Sequence, residues 1–397
     1  MNFASAIVKG DDAKKMSVDL CDQIHKDLDK QSIDLAILFV TGELEASAQL
    51  IHEELQKNLN PHILLGCSAG SVISHDEEIE TEAAISLFCA SMPDVKKIPF
   101  SLSNADLERL TSPSECQAFF NVTPEENPIF LVLGEPFSFD INQFIKVIEN
   151  VYPNTPMVGG MASAGSEPDQ NVMFSSEQVS TQGAVGVVLT GNVHISTLVS
   201  QGCRPFGEPA IVTEAEENII HTLAGKSALQ FLEENYRKAS ARDQVLARQA
   251  LFVGAVVDEL KQIPEHGDFV IRSVVGLDQN SGAIALSDRA KVGDTVQFHV
   301  RDSSSAHEDL ELICSNEKTY SSSIDLSDPK GALIFSCNGR GFRMFNEKNH
   351  DVSMLRQKLG KFPAAGFFCA GELGPIGNKN FIHSFTASIA LFYEKKQ

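Results

Sequence analysis

One succession of elements occurs three times in this chain, and it constrains the fold more than any other feature. Residues 34–102 have the pattern of a buried strand, a helix, a proline stop, a second strand, a glycine-rich turn and two further strands. Residues 128–200 follow the same order, and residues 331–393 follow a related order that ends in a single strand. Three copies of one supersecondary unit indicate an internal repeat of roughly 70 residues, whose equivalent loops could converge on one cleft.

Each copy begins with an uninterrupted apolar run, at residues 35–40, 129–133 and 332–335. Continuous apolar strands are typical of sheets that are covered on both faces. Because these strands alternate with helices, the sequence predicts an α/β fold, with α+β as the alternative, in which mixed sheets are flanked by helices.

The glycine-rich turns also correspond between the copies. They follow Pro61, Pro156 and Pro363 and occupy residues 66–70, 160–165 and 366–371. Their small residues can expose backbone amides, which is a common way of holding an anion.

The length of 397 residues and a boundary near 201–207, marked by the Gly/Pro-rich stretch GCRPFGEP, predict two domains, 1–203 and 204–397. Past this boundary, apolar residues at helical spacing predict a helix over 218–231. Strand patterns that resemble a meander follow it.

Charge and cysteine usage narrow the class of protein. The net charge of −21, from 32 basic and 53 acidic residues without a Lys/Arg cluster, disfavours nucleic-acid binding. The start of the chain lacks the basic and apolar regions of a signal peptide, and no apolar run approaches 18 residues, so we expect a cytoplasmic protein without membrane insertion. The eight cysteines form no C-x-x-C pair, which favours buried thiols, and the histidines lack metal-ligand spacing.

A small-molecule site is predicted where buried strands give way to Gly-rich loops. The planar fork of Arg340 suits a carboxylate, and Glu372 suits an ammonium group. His383, Thr386 and Ser68 can add hydrogen bonds. Together these groups suit a zwitterion such as an amino acid. The alternatives are that Arg340 and Glu372 pair with each other to brace the loops, and that His383 is structural.

Two enzyme alternatives are open. The sequence GCSAG matches the G-x-S-x-G pattern around Ser68, and Glu372 and His383 follow it in the order of a hydrolase triad. A thiol nucleophile with His383 as its base is the second alternative, the candidate thiols being Cys67, Cys337 and Cys369. Short patterns of this size arise by chance, and these cysteines adjoin apolar strands, so we expect no enzyme.

Several segments together resemble the FIST family, named for F-box and intracellular signal-transduction proteins. The resemblance rests on IFSCNGRG, PAAGFFCAGELGP and IHSFTAS near the C-terminus, on HILLGCSAGSVI, and on GCRPFGEPAIVTEAEENIIHTLAGKSAL at the junction; it covers about residues 34–392. It implies FIST N-terminal and C-terminal domains that bind a small ligand, with amino acids proposed as ligands, in sensory signal transduction. Since these 397 residues leave no room for a fused signalling enzyme, we expect output through a separate partner.

The family motif carries over residue by residue. It falls on Gly66, Cys67, Ser68, Gly70, Cys337, Arg340, Gly341, Gly366, Glu372, Gly374, Pro375, His383 and Thr386. The predicted ligand-binding residues among them are Cys67, Ser68, Gly70, Cys337, Arg340, Gly341, Glu372, His383 and Thr386. Some members are haemoproteins that sense nitric oxide, and here His62, His75 and His383 are the candidate axial ligands. We expect no cofactor and no metal, with haem as the alternative.

Overall fold

The structure is a computed structural model that describes residues 1–257, 259, 261, 267–316 and 328–395. Its strands are β1 (Asn2–Lys9), β2 (Leu35–Thr41), β3 (Ile63–Ala69), β4 (Val72–Ser74), β5 (Glu78–Ile79), β6 (Ala84–Ser91), β7 (Val95–Leu102), β8 (Ile129–Gly134), β9 (Met157–Met161), β10 (Met173–Phe174), β11 (Val179–Ser180), β12 (Ala184–Gly191), β13 (His194–Ser200), β14 (Cys203–Glu216), β15 (Ile219–Leu223), β16 (Lys226–Ser227), β17 (Phe252–Val256), β18 (Phe269–Leu277), β19 (Ile284–Leu286), β20 (Thr295–Arg301), β21 (Gly331–Cys337), β22 (Ala364–Cys369), β23 (Glu372–Ile376), β24 (Lys379–His383) and β25 (Ala387–Tyr393).

Each repeat has at least one helix between its first and second strands, and the remaining helices lie before or between the repeats. The helices are α1 (Ala13–Asp27), α2 (Ala48–Leu59), α3 (Asn104–Leu107), α4 (Pro113–Phe120), α5 (Ile141–Val151), α6 (Ala228–Lys238), α7 (Ala241–Gln249), α8 (Ser303–Asn316), α9 (Phe342–Phe345) and α10 (His350–Leu359), with short 3₁₀ helices at Gly42–Ser47 and Pro124–Glu126. Of the helices in the described ranges, none has the length and apolar character needed to span a bilayer.

The chain forms two compact units. The larger unit contains residues 1–199 and 311–397, and the smaller unit contains residues 200–310. The chain therefore returns to the larger unit after the smaller one is complete. The predicted domains 1–203 and 204–397 divide the sequence at a single point and stay a prediction.

The three repeats are confirmed, and all three lie in the larger unit. In each, the first strand lies between a parallel and an antiparallel neighbour: β2 between β3 and β6, β8 between β9 and β12, and β21 between β22 and β25. The apolar runs at 35–40, 129–133 and 332–335 are thus interior strands. The predicted α/β class with mixed sheets and flanking helices is confirmed.

Each repeat also lends a hairpin to another repeat's sheet. The hairpin β4–β5 of the first repeat pairs with β22 of the third, β10–β11 of the second pairs with β3 of the first, and β23–β24 of the third pairs with β9 of the second. The exchange is therefore cyclic. Sequence patterns did not predict these hairpins as separate strands, because each of their strands is only two to five residues long.

The last two strands of the first and second repeats do not pair with each other. β6 has β1 on one edge and β2 on the other, which leaves no edge for β7. β7 instead pairs with β12 of the second repeat, and β13 lies beside β25 of the third. Alternating apolar residues identify a strand without identifying its neighbour.

The glycines predicted to start a turn lie inside strands, which corrects the sequence analysis. Gly66 and Gly366 are opposite the fourth residue of the preceding parallel strand, and Gly159, rather than Gly160, is their equivalent in the second repeat. A Cβ at these positions would lie 2.3, 1.9 and 1.8 Å from the carbonyl oxygens of Leu38, Ile334 and Val132 respectively. Glycine is required because the neighbouring backbone occupies the side-chain position.

The two faces of the sheets belong to different cores. One face of each central strand contributes to a common core of the larger unit, where for example Phe39 and Phe367 stack with ring centroids 4.9 Å apart. The opposite faces are covered by helices: α1 and α2 cover the first repeat's sheet, and α4 and α5 cover the second's. Burial on both faces explains why these strands are uninterrupted apolar runs.

The smaller unit is a closed ring of strands in the order β14-β20-β17-β18-β19-β15, which closes through pairing of β14 with β15. Its closure was not predicted, although the strands of the meander are present. The predicted helix over 218–231 is wrong in its first half, where β15 and β16 form a hairpin before α6 begins at Ala228. Most of the Gly/Pro-rich stretch at 201–207 lies within the long strand β14, which begins at Cys203.

Candidate functional site

Loops from all three repeats meet at one place, the turn junction, which we define as residues 70–71, 162–165, 338–339 and 370–371. These residues follow the carboxyl ends of β3, β9, β21 and β22, respectively. In α/β sheets, ligands commonly bind beyond the carboxyl ends of the strands. The predicted convergence of the glycine-rich loops is therefore present.

Ser163 connects the three loops. Its Oγ accepts a hydrogen bond from the Gly70 amide at 3.0 Å and donates to the Phe368 carbonyl. Its own amide donates to the Ser68 carbonyl at 3.2 Å. One small side chain thus joins the ends of β3 and β22 to the second repeat's loop.

Backbone pairs complete the junction. The Asn338 amide donates to the Cys369 carbonyl at 3.0 Å, and the Ala370 amide donates to the Met161 carbonyl at 3.0 Å. Gly70, Asn338 and Ala370 are exposed there. The result is a small-residue surface held on rigid strand ends, which is suited to contact with a small polar ligand.

Cys67 and Ser68 lie inside β3 rather than in a loop. The Ser68 Oγ accepts a hydrogen bond from the Val172 amide at 2.8 Å, and its side chain is buried. A nucleophile elbow places its serine on a turn between a strand and a helix, whereas β3 continues into the hairpin β4–β5. This placement gives Ser68 a structural role in joining β3 to the chain beside β10.

Burial also lowers the reactivity of two candidate thiols. Cys67 and Cys369 are fully buried, and burial raises the pKa of each thiol well above its ordinary value. The neighbouring Glu372 carboxylate raises the pKa of Cys369 further. A thiolate nucleophile is disfavoured in such surroundings. Cys337, at the end of β21, is partly exposed.

Arg340 forms a buried, bidentate ion pair with Asp351 at the start of α10. Its Nε and Nη2 each donate to an Asp351 oxygen at 2.8 Å, and Arg340 is 1% exposed. Burial alone would raise the pKa of the Asp351 carboxyl, but the Arg340 charge and hydrogen bonds from Arg340 and His350 hold that pKa below its ordinary value. The Arg340 guanidinium, which was predicted to bind a ligand carboxylate, thus binds a carboxylate of the protein itself.

Aromatic contacts surround this pair. His350 stacks on Phe345 with ring centroids 3.4 Å apart, and the Arg340 guanidinium carbon lies 5.2 Å from the Phe345 ring centroid. Ser336 in β21 donates to Asp351 at 2.9 Å. Gly341 is required here because its φ is +66° and a Cβ would lie 2.6 Å from an oxygen of Glu80. The cluster therefore fixes the chain between β21 and α10.

Glu78, from the exchanged hairpin β4–β5, is a second buried carboxyl beside the Arg340–Asp351 pair. Its Oε1 accepts from the Val352 amide at 3.0 Å, its amide donates to the Asn349 side chain at 2.8 Å, and its Oε2 has no hydrogen-bond partner among the described residues. Burial, together with the Asp351 charge, raises the pKa of Glu78 to about 8. Near neutral pH the hairpin of the first repeat thus presents a largely protonated carboxyl to the third repeat.

The raised pKa of Glu78 predicts a pH-dependent stability. Below pH 4.5, its ordinary pKa, both folded and unfolded chains carry the proton. Between pH 4.5 and about 8 only the folded chain keeps it, so stability contributed by Glu78 falls as pH rises, by up to about 1.4 kcal/mol per pH unit. Above about pH 8 the loss is complete. The pH dependence contributed by Asp351 has the opposite sign, because the pKa of Asp351 is lowered in the folded chain. Its contribution to stability is lost as pH falls below 3.8.

Urea unfolding of wild type and Glu78→Gln across pH 5–9 checks this expectation. The variant should show a flatter pH dependence than wild type. Glu82→Gln, a change at an exposed carboxylate close to the same hairpin, serves as the matched control and should leave the slope unaltered. Equal slopes for wild type and Glu78→Gln would contradict the assignment.

The remaining predicted site residues lie in or beside the exchanged hairpin β23–β24 and are buried. Glu372 Oε2 accepts from the Thr386 amide at 3.0 Å, and His383 Nε2 donates to the Gly374 carbonyl at 2.9 Å. Thr386 donates to the Ser384 carbonyl at 3.2 Å. These contacts hold the start of β25 against the hairpin.

The three candidate haem ligands lie in different surroundings. His383 Nε2, one of the two nitrogens that could bind iron, is engaged by the Gly374 carbonyl within a strand. His62 and His75 are exposed and lie beside Asp34 and Asp76, respectively. An axial ligand needs a free imidazole nitrogen at the wall of an apolar cleft.

The smaller unit carries a shallow, open depression of about 290 Å³. Its lining is mostly polar and includes Ser227, Gln230, Glu233 and Asn280. It contains none of the residues that the sequence predicted for ligand binding. The turn junction therefore remains the candidate site.

Comparison with known sequences agrees with the repeated architecture. The sequence model of the FIST N domain matches residues 34–226, and that of the FIST C domain matches residues 228–375. The chain belongs to the FIST family. FIST domains are associated with small-ligand sensing and signal transduction.

Relatives of this FIST protein extend over its whole length. An uncharacterized protein of Mycobacterium tuberculosis is 35% identical over 396 residues, covering 99% of this chain and 100% of the relative. An uncharacterized protein of Mycobacterium bovis is 36% identical over 396 residues, covering 99% of each chain.

The structure divides the predicted site of this FIST protein into two groups. Gly70 and Cys337 lie at or beside the turn junction with exposed surface, whereas the other predicted residues are buried. Ser163 and Asp351 were not predicted. The turn of small residues at 160–165 was a signal that could have identified Ser163. The sequence around Asp351 has no feature that distinguishes it from other acidic residues in helices.

Proposed function

We propose that this FIST protein is a cytoplasmic sensor that binds an amino acid at the turn junction and passes the signal to a separate protein partner. The observation that carries this proposal is the meeting of loops from all three repeats around Ser163. A ligand seated there would contact strand ends of every repeat at once. Binding could then bias packing throughout the larger unit.

The proposal does not assign the ligand's carboxylate to Arg340. Arg340 already holds Asp351 through two hydrogen bonds in a buried position. Displacing Asp351 would leave a buried carboxylate without its charge partner, which is costly. Arg340 would then act indirectly, by fixing the loop that carries Asn338 and Gly339.

A thermal-shift screen over the amino acids tests the proposal. A ligand at about 100 times its dissociation constant should add about 2.7 kcal/mol of stability, which is readily seen as a rise in melting temperature. Asn338→Ala should reduce the shift, because Asn338 is exposed in the junction. Asn378→Ala, at an exposed asparagine in the turn of the hairpin β23–β24, is the matched control. No shift with any amino acid would overturn the choice of ligand.

The proposal needs neither a cofactor nor a catalytic step. We expect purified protein, after expression with added haem, to show no Soret band, because the candidate histidines are engaged or exposed. Absorbance spectroscopy before and after incubation with haemin measures this. A stoichiometric Soret band that His383→Ala abolishes would contradict it.

A further inference from the structure

Two cysteines form the last pair of the parallel ladder between β21 and β22. Cys337 is directly opposite Cys369 in the register. Side chains opposite each other in neighbouring parallel strands project to the same face, and the strands lie about 4.8 Å apart. The Cα atoms of disulfide-linked cysteines are usually separated by about 4.4–6.8 Å, so this pair meets the distance requirement.

The two thiols differ in access. Cys337 is partly exposed beside the turn junction, and its sulfur accepts a hydrogen bond from the Gly339 amide at 3.4 Å. Cys369 is buried under the junction, where a Cβ on Gly160 would come within 2.4 Å of its sulfur. An accessible thiol beside a sheltered one is the arrangement of an attacking and a resolving cysteine.

We propose that Cys337 and Cys369 are a reversible thiol–disulfide pair that reacts with low-molecular-weight disulfides. In the first step the Cys337 thiolate attacks the disulfide RSSR, forming a Cys337–SR mixed disulfide and releasing one RS⁻. In the second step the Cys369 sulfur attacks the Cys337 sulfur, and its proton passes to the departing RS⁻. The Cys337–Cys369 bond forms and the second RSH leaves. The two thiols are oxidised by two electrons, and RSSR is reduced to two thiols.

Bond formation would act directly on the turn junction. The mean Cβ–Cβ distance in disulfides is about 3.8 Å, so the strand ends must approach each other by roughly 1 Å. Asn338 follows Cys337, and its amide donates to the carbonyl of Cys369. Oxidation would therefore move Asn338 and the loop that follows it, independently of any ligand.

The chain provides a matched control in Cys21 and Cys89. These two thiols also interact with each other, but both are buried, and burial raises the pKa of each, to about 12 for Cys21. With no exposed member, this pair should react at least about tenfold more slowly with an added disulfide. Any oxidation of it would report unfolding of the chain.

Peptide mapping by mass spectrometry after treatment with oxidised glutathione, without reduction, tests the proposal. In wild type we expect a Cys337–Cys369 cross-link, while Cys21 and Cys89 stay reduced. Cys369→Ser should hold Cys337 as a stable glutathione adduct, and Cys337→Ser should leave Cys369 unmodified. A persistent Cys337 adduct in wild type, or cross-linking of Cys21 to Cys89 at the same rate, would overturn the proposal. Circular dichroism of both variants checks that they are folded.

Discussion

Replacing Gly366 with alanine is expected to destabilise the protein by more than about 4 kcal/mol and to remove most of the soluble product. The new methyl carbon would lie 1.9 Å from the Ile334 carbonyl oxygen, well inside van der Waals contact. Both residues are in buried strands, so the backbone must move, and the parallel ladder between β21 and β22 would break. The urea midpoint and the soluble yield measure the effect.

Gly276→Ala is the matched control for this substitution. Gly276 is also a strand glycine, but its Cβ would meet only the Ala285 Cβ, at 3.6 Å. We expect its unfolding free energy to stay within about 0.5 kcal/mol of wild type. If Gly366→Ala unfolds with the same midpoint as this control, the close approach of the two strands is absent from the protein.

Asp351→Asn is the second substitution with a large expected effect. It leaves the Arg340 guanidinium buried without its counter-charge, which costs about 3–5 kcal/mol in buried pairs of this kind. Chemical denaturation measures the loss. The double variant Arg340→Met, Asp351→Leu should recover much of it, because replacing both partners by apolar groups removes the stranded charge.

A surface ion pair provides the comparison. Lys226 is exposed and Glu234 is partly exposed, and Glu234→Gln should change stability only slightly. Asp351→Asn should also lower the pKa of Glu78, since the Asp351 charge helps to raise it. An equal, small effect of Asp351→Asn and Glu234→Gln would contradict the description of the pair as a buried one.

The sequence predicted the parts of the fold that follow from local patterns. The three central strands were recognisable because burial on both faces demands continuous apolar runs. The glycines were recognised as equivalent but were assigned to turns. Glycine is required at these positions because a carbonyl oxygen of the neighbouring strand lies where a side chain would be, and the sequence does not show that contact. The exchanged hairpins were missed because their partners lie about 100 to 300 residues away in sequence.

Prediction of the candidate site was limited in the same way, because the contacts of its charged residues depend on tertiary packing. Arg340 and Glu372 were selected as charged residues next to Gly-rich loops, and such loops do converge. The sequence could not show that Arg340 meets Asp351 eleven residues later, or that Glu372 accepts from the Thr386 amide. Charge and loop position identify a candidate, whereas the partner of a buried charge depends on how helices and strands pack.

The cyclic exchange of hairpins has a consequence for synthesis on the ribosome. When residue 102 has emerged, β3 still lacks the strand β10, and the hairpin β4–β5 has no sheet to join until β22 emerges at residues 364–369. Exposed strand edges invite pairing with other chains. The nascent chain therefore carries unsatisfied edges for most of its translation. We expect chaperones to bind it during this interval, and folding to finish only after release.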